Sequence, residues 1–415
     1  MRLYMTWCKI VTALVGALTI LQILNMTLLS QLQFKNKAPP VVYTADYTAE
    51  EMFEMMRKRI SAVNIMDGRG EYVVRKNVWK GIDMRHDNML KDAALVTHCT
   101  VNRMFRLIDI AKRWRGPMSI TIFTPGQDVI VAMEHIIRLY HCSAVIRQQA
   151  VFHVVSPLTM PVRDVKPYNS YLKMTECRFM QKVLGSVLSI DNYGMKDLAY
   201  PNNLLRNTGV RYSQTEYIFV VDVDLIPSRE LHQQFMEFAR TNRLFSKTAV
   251  EDPVVLVVPV FEAIDEDHLP NDKGELLQVY NKGVRPFYLE PCPKCQKSTD
   301  FSRWVSLSSG STLMEAYEVE WSHPWEPFFF GPRTLPAYDE RFKQYGFNRV
   351  SQICEVHVAG YRFAVLNNAF IVHIGFKKSS GFHKTKEEEH KSNKLIYEQL
   401  KKELKTRYPA STRVC

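Results

Sequence analysis

Cysteine is scarce in this 415-residue chain, at eight residues, which is too few for a small scaffold held by disulfides. The sequence carries no internal repeat, so solenoid and propeller arrays are excluded. Only one long apolar run is present, Ile10–Leu29, which excludes a polytopic membrane protein. Usable N-x-S/T acceptors are missing, because the one such triplet, Asn25-Met26-Thr27, lies inside that run. What remains is ordinary for a globular protein: 46% hydrophobic and 23% charged residues, which excludes global disorder and collagen. The length allows one large or two small domains. Lys and Arg outnumber Asp and Glu by 54 to 43, a net charge of +11. That excess suits anionic partners such as nucleotide sugars, phosphates, a membrane surface or nucleic acid, without choosing among them.

The run IVTALVGALTILQILNMTLL has no charge over twenty residues. At 1.5 Å per residue it spans about 30 Å, the thickness of the hydrocarbon core. Arg2 and Lys9 precede it, and Lys35 and Lys37 follow it, so the positive-inside comparison is nearly balanced. A cleaved signal peptide would want a shorter run and an A-x-A-like site. The expectation is an uncleaved anchor over 10–30 with a cytosolic tail 1–9, a stem 31–90 and a luminal body 91–415. A luminal body lies in an oxidising space, where Cys99, Cys142, Cys177, Cys292, Cys295, Cys354 and Cys415 are available to pair. Their number is odd, so at least one stays free or pairs between chains. Cys292-Pro-Lys-Cys295 has half of a zinc-site spacing. With no second C-x-x-C to supply four ligands, a local disulfide is the better expectation.

Along the body, short apolar runs alternate with helical patterns. Ala93–His98, Ser119–Phe123 and Val151–Val155 read as strands, and Val101–Ala111 and Asp128–Tyr140 as helices. This alternation predicts a parallel α/β sheet, whose ligands bind beyond the carboxyl ends of the strands. Further strands are expected at Tyr217–Val221 and Val254–Val260. The stretch from Asp265 to Glu320 is loop-rich and reads as an acceptor-side insertion. In the charged tail after Lys377, Ile396, Leu400 and Leu404 fall on one helix face. Its mixed charge signs fit a docked, solvated helix better than nucleic-acid binding.

The sharpest feature is Tyr217-Ile-Phe-Val-Val-Asp222-Val-Asp224-Leu-Ile-Pro227. An apolar strand ends in two carboxylates at i and i+2, which strand alternation points the same way. Paired like charges need a cation or donors to compensate them. A divalent ion there would neutralise a diphosphate, and Mn²⁺ or Mg²⁺ suits such oxygen ligands. A lone D-x-D is also a common solvated strand end. Ala369–Phe376 is another apolar run, ending near His373. A histidine there is usually a rim or core residue, and becomes a third ligand if the fold brings it beside Asp224.

Taken together, certain segments resemble the LARGE-related family of glycosyltransferases, which includes the β-1,4-glucuronyltransferases acting on α-dystroglycan. They are the acidic strand, Tyr200-Pro-Asn-Asn-Leu-Leu-Arg-Asn207, Trp325-Glu-Pro-Phe328, Tyr338-Asp-Glu-Arg-Phe342, Tyr345-Gly-Phe-Asn-Arg349 and Val372-His373. The resemblance runs from about Ala93 to the C-terminus. It implies a GT-A fold, a mixed and mostly parallel Rossmann-like sheet, in a single-pass type II Golgi membrane enzyme. It implies Mn²⁺ and UDP-glucuronic acid, with a xylose-terminated O-mannosyl glycan of α-dystroglycan as acceptor and a LARGE-type glycosyltransferase as partner. It places Asp222 near ribose and metal, Asp224 on the metal and His373 as the C-terminal metal ligand. Many inverting GT-A enzymes carry a G-x-x-E-D-like acidic pair, whereas here Phe347, Asn348 and Arg349 follow Tyr345-Gly346.

Transfer from an α-linked UDP-sugar to a β-linkage is an inversion, which needs a carboxylate base for the acceptor hydroxyl. The candidates are Glu326, set between Trp325 and Pro327, and Asp339. Trp325 reads as a sugar platform, and Asp339 has the alternative role of capping a helix near Glu340. Asn203 and Arg206 lie on the helix before the acidic strand, within reach of nucleotide or sugar, or else serve in surface pairing. The glucuronate carboxylate wants a bidentate arginine, with Arg285, Arg303, Arg341 and Arg349 as candidates. Two other readings compete: a β-1,3-N-acetylglucosaminyltransferase acting on lactosamine, and an inactive luminal partner of a glycan polymerase. A luminal body excludes nucleic acid as a partner.

Overall fold

The alternating apolar runs become a sheet of ten strands among the described residues. The strands are β1 (Ile65–Met66), β2 (Tyr72–Lys80), β3 (Leu90–Thr100), β4 (Met118–Phe123), β5 (Ala150–Pro157), β6 (Thr215–Val220), β8 (Val254–Val258), β11 (Met314–Val319), β12 (Phe328–Pro332) and β13 (Arg362–Asn367), in the order 1-2-5-4-3-6-12-8-13-11. The computed structural model describes residues 47–415 except 63–64, 86–87, 163–164, 167–176, 178–183, 185–197, 247–252 and 380–383, together with Gly16 and Gln22. The apolar run Ile10–Leu29 therefore lies outside the described residues apart from those two. Among the described residues no helix is long and apolar enough to cross a membrane.

Strands β5, β4, β3 and β6 are parallel. Residues of β3 from Ala93 onward, and all of β4 and β5, are buried, as expected for a parallel sheet covered on both faces. Beyond β6 the pattern changes: β12 runs antiparallel to both β6 and β8, and β8 pairs parallel with β13. The sheet is thus mixed: its central four strands and the β8–β13 pair are parallel and its other neighbours are antiparallel, which corrects the mostly parallel expectation. Trp114 stacks near Phe219 and Phe330, and Phe330 lies 3.9 Å from Phe235 between ring centroids. These rings fill the layer beneath β6 and β12.

Residues 49–90 correct the expected stem boundary. Helix α1 (Ala49–Ala62) buries Met52, Phe53, Met56 and Ile60 on one face, and β2 pairs antiparallel with β5. The buried Arg75 ties them, its Nε donating to the Ile60 carbonyl at 3.1 Å and its Nη1 to Ser156 Oγ at 3.1 Å. These residues belong to the folded unit, which begins at Ala49.

A second sheet of four strands, β10 (Val284–Pro286), β9 (Val260–Ala263), β14 (Ile371–Ile374) and β7 (Leu225–Pro227), lies in that order. Its register sets Leu225 opposite His373. The closing helix α2 (Lys386–Arg407) buries Asn393, Tyr397, Leu400 and Leu404. Tyr397, with Leu400 and Leu404, forms the apolar stripe, and Ile396 sits at its edge. Asn393 Nδ2 donates to the carbonyls of Lys343, Tyr345 and Gly346 at 2.8–2.9 Å. Among the described residues three disulfides form, Cys142–Cys177, Cys292–Cys295 and Cys354–Cys415, and Cys99 is free and buried. The C-x-x-C is therefore a local staple.

Candidate active site

Strand β6 loses its partners at its carboxyl end. Pairing with β12 starts from Phe219 and pairing with β3 reaches Val220. The chain then turns, and the Leu225 N–H donates to the Asp222 carbonyl at 3.0 Å. Asp222 and Asp224 therefore sit on a turn, and the two carboxylates meet different partners. Strand alternation does not govern them.

Asp222 Oδ1 accepts from Arg206 Nη2 at 3.0 Å and Arg349 Nη2 at 2.9 Å. Burial opposes its charge, but the Arg349 and Arg206 guanidiniums outweigh that and hold the carboxyl well below the usual carboxylate range. His98 Nε2 stands 3.8 Å away. Burial, together with Arg206, pushes His98 down to about 3, so the ring is neutral and bonds Tyr200 through Nδ1 at 2.8 Å. Arg206 is fixed in turn, its Nη1 donating to Asn203 Oδ1 and Asn348 Oδ1 at 2.9 Å each. Asn203 Nδ2 donates to the carbonyls of Asp339 and Asn348. Buried Asn203 and Arg206 thus position the acidic turn, a role that accounts for their polar contacts without a substrate.

Asp224 Oδ2 lies 3.1 Å from His373 Nε2 and 3.4 Å from Lys377 Nζ. Burial again opposes its charge, and the bond from His373 and the Lys377 charge overcome it, so this carboxyl too stays below its usual range. His373 Nδ1 is 2.7 Å from the Gly375 carbonyl. A carbonyl only accepts, so Nδ1 carries a proton and Nε2 faces Asp224. Nε2 therefore donates to Oδ2 here, and with a metal ion between them it would offer its lone pair beside Oδ2 instead. Their spacing matches neighbouring ligands around an ion with bonds of about 2.1 Å. The Asp224 side chain keeps 46% of its surface open, leaving room for further ligands. The expected trio of Asp222, Asp224 and His373 does not assemble. Among the described residues no group of three His, Cys, Asp or Glu side chains is placed to hold a metal ion, and Asp222 is paired with Arg206 and Arg349.

Glu326 follows Trp325 just before β12. Burial raises its carboxyl to about 7, with the Asp222 charge adding to the rise and Arg349 and Arg206 opposing it. Its electrostatic neighbours are therefore those of the acidic turn. Trp325 is fully buried, its Nε1 donates to Thr299 Oγ1 at 3.0 Å, and its ring packs edge-on to Phe363. It is a core residue and presents no face to a sugar, which corrects the platform expectation. Asp339 is likewise removed as a base: Arg341 holds both its oxygens, and Arg341 also grips Glu403. No helix starts at Glu340; Asp339 Oδ1 accepts instead from the Arg341 N–H at 2.9 Å. Asp339→Asn is expected to keep kcat near that of the unmodified chain while lowering the melting temperature, checked by transfer assay and calorimetry on one preparation.

Of the four candidate arginines, Arg285 pairs with buried Glu262, Arg303 lies over Tyr317 and Arg341 is spent on Asp339. Arg349 alone faces the acidic turn, its guanidinium 4.0 Å over the Phe328 ring. Sequence reasoning missed His98 and Lys377. The signal for Lys377 was its place two residues after Gly375, whose φ of +88° turns the chain back toward Asp224.

Residues 92–409 match the sequence model of the family described as glycosyl-transferase for dystroglycan, and the chain belongs to that family. Its mixed α/β sheet is a glycosyltransferase fold. Beta-1,4-glucuronyltransferase 1 of Danio rerio is 36% identical, with 98% of each chain covered. The Homo sapiens protein of that name is 36% identical over 89% of this chain and 87% of its own. Xylosyl- and glucuronyltransferase LARGE2 of Rattus norvegicus is 29% identical over 68% of this chain and 34% of its own.

Proposed function

We propose that the chain is an inverting glucuronosyltransferase of GT-A type, moving glucuronic acid from UDP-glucuronic acid to a terminal xylose of an O-mannosyl glycan on α-dystroglycan. The observation that carries the chemistry is a pair of carboxyls pushed apart at one site. Asp224 is held ionised beside His373, while Glu326 is raised to about 7. Such divergence assigns separate roles to two acids. Glu326 takes the proton of the acceptor hydroxyl, whose oxygen attacks the anomeric carbon from the face opposite UDP. The bond from that carbon to the β-phosphate oxygen breaks, its electrons leave with UDP, and the configuration inverts. Asp224 and His373 would hold Mn²⁺. The ion would supply Lewis-acid neutralisation of the leaving diphosphate. Lys377, 3.4 Å from Asp224, adds a cation at the same place, and Arg206 and Arg349 keep Asp222 ionised and the turn in shape.

A type II anchor in the Golgi membrane is part of this reading, supported by the charge-free run Ile10–Leu29 and by three disulfides, which persist in oxidising compartments. A LARGE-type glycosyltransferase extending the product is the expected partner. The test is a UDP-sugar panel against a β-xyloside acceptor, with and without Mn²⁺, followed by linkage analysis. Glucuronate transfer in β-1,4 linkage that needs the ion is the expected result. Transfer of another sugar from the panel, or none at all, would refute it.

A further inference from the structure

Residues Pro293–Thr299 form a seven-residue 3-10 helix. Runs of this length are uncommon because i to i+3 bonds are poorly aligned, so the segment needs outside support. The Cys292–Cys295 disulfide closes its start, where the Cys295 N–H also donates to the Cys292 carbonyl at 3.0 Å. Its end is fastened at Thr299, whose hydroxyl accepts from Trp325 Nε1 and whose carbonyl accepts from Tyr317 OH at 2.8 Å. The outer face is open to solvent at Pro293, Lys294 and Lys297, so covalent closure stands in for packing there.

Between these ties the turn grips the backbone of Glu326 on both sides. The Glu326 N–H donates to the Cys295 carbonyl at 3.0 Å, and buried Gln296 donates through Nε2 to the Glu326 carbonyl at 3.1 Å. A few residues upstream, Ser298 Oγ meets Ser322 Oγ at 2.9 Å. We propose that this disulfide-closed turn positions the Glu326 base, with Gln296 as the residue that fixes it. The role rests on the reading of Glu326 given above. Opening the four-residue ring or removing the Gln296 amide frees the Glu326 peptide to bond water, and its carboxylate loses its aim at the acceptor hydroxyl. Displacements of about 1 Å in such a group cost on the order of 100-fold in rate.

The experiment compares Gln296→Met and the double variant Cys292→Ser/Cys295→Ser with Glu326→Gln in the full chain. kcat and donor KM are measured with UDP-glucuronic acid and a xyloside, and UDP affinity by calorimetry, with rates expressed per UDP-binding molecule. The expected result is a kcat about 10–100-fold lower in both turn variants, with donor KM and UDP affinity unchanged. A merely structural role would lower the binding-competent fraction and leave kcat per competent molecule intact, and that outcome overturns the proposal. Should the double variant fail to bind UDP, Gln296→Met decides alone, and an undiminished kcat there overturns it. If Glu326→Gln itself retains turnover, the assignment of the base falls first, a failure distinct from that of the turn.

Discussion

Glu326→Gln is expected to lower transfer about 10²–10⁴-fold, the usual worth of a positioned base, with affinity for UDP unchanged. In the unmodified chain, turnover should rise with pH through a midpoint near 7, where the half-buried Glu326 carboxyl titrates. Burial and the Asp222 charge favour its protonated, inactive form, and Arg349 and Arg206 pull the other way. The same shift carries a stability signature. A carboxyl whose folded pKa lies above its ordinary value costs stability as pH rises from that ordinary value through the folded one. The glutamine variant is spared this, so it should melt above the unmodified chain at pH 8 and no higher at pH 4. A variant with full turnover, or a pH profile whose acid limb survives the substitution, would assign the base elsewhere.

Asp224→Asn is expected to reduce metal-stimulated transfer about 10²–10³-fold, the scale of losing a charge stabiliser at a reaction centre, and to weaken Mn²⁺ binding measured directly by calorimetry. Asp222→Asn should behave differently. Arg206 and Arg349 are buried, and both donate to Asp222 Oδ1. Removing the countercharge leaves two confined guanidiniums without it, so the loss should appear first as a destabilisation of about 1–3 kcal/mol, less than for an enclosed pair because the Asp222 side chain keeps 36% of its surface open. Equal loss of metal affinity in both variants, with no difference in melting, would return Asp222 to the ion and contradict the division of labour seen in the hydrogen bonds.

The parts of this protein that depend on local pattern could be read from its residues. Ser119–Phe123 and Val151–Val155 fall within the parallel core because apolar runs between helical segments have few other solutions. Leu400 and Leu404 dock because their spacing fits one helix face. Features that depend on a distant partner could not be read. The D-x-D looks like strand alternation until β6 runs out of neighbours and the chain turns. Nothing in Ile371–Ile374 announces that β14 will pair with β7 and so bring His373 to Asp224. Trp325 carries the same side chain whether it faces a sugar or Thr299, and only burial tells them apart. Asp339 resembles a free acid until Arg341, two residues on, folds back over it. Around Glu50–Val63 the sequence has a helical pattern, but nothing local says that this helix packs into the body and does not lie in a stem.

Asn393 has a bearing on how this molecule ages. Its single amide nitrogen serves the carbonyls of Lys343, Tyr345 and Gly346, and the same loop leads to Asn348, which steadies Arg206. Spontaneous deamidation would exchange that nitrogen for an anionic oxygen directed at three backbone oxygens. Repulsion there would travel by way of Asn348 and Arg206 to the acidic turn, so one hydrolysed amide in the closing helix would blunt a reaction centre in another part of the fold.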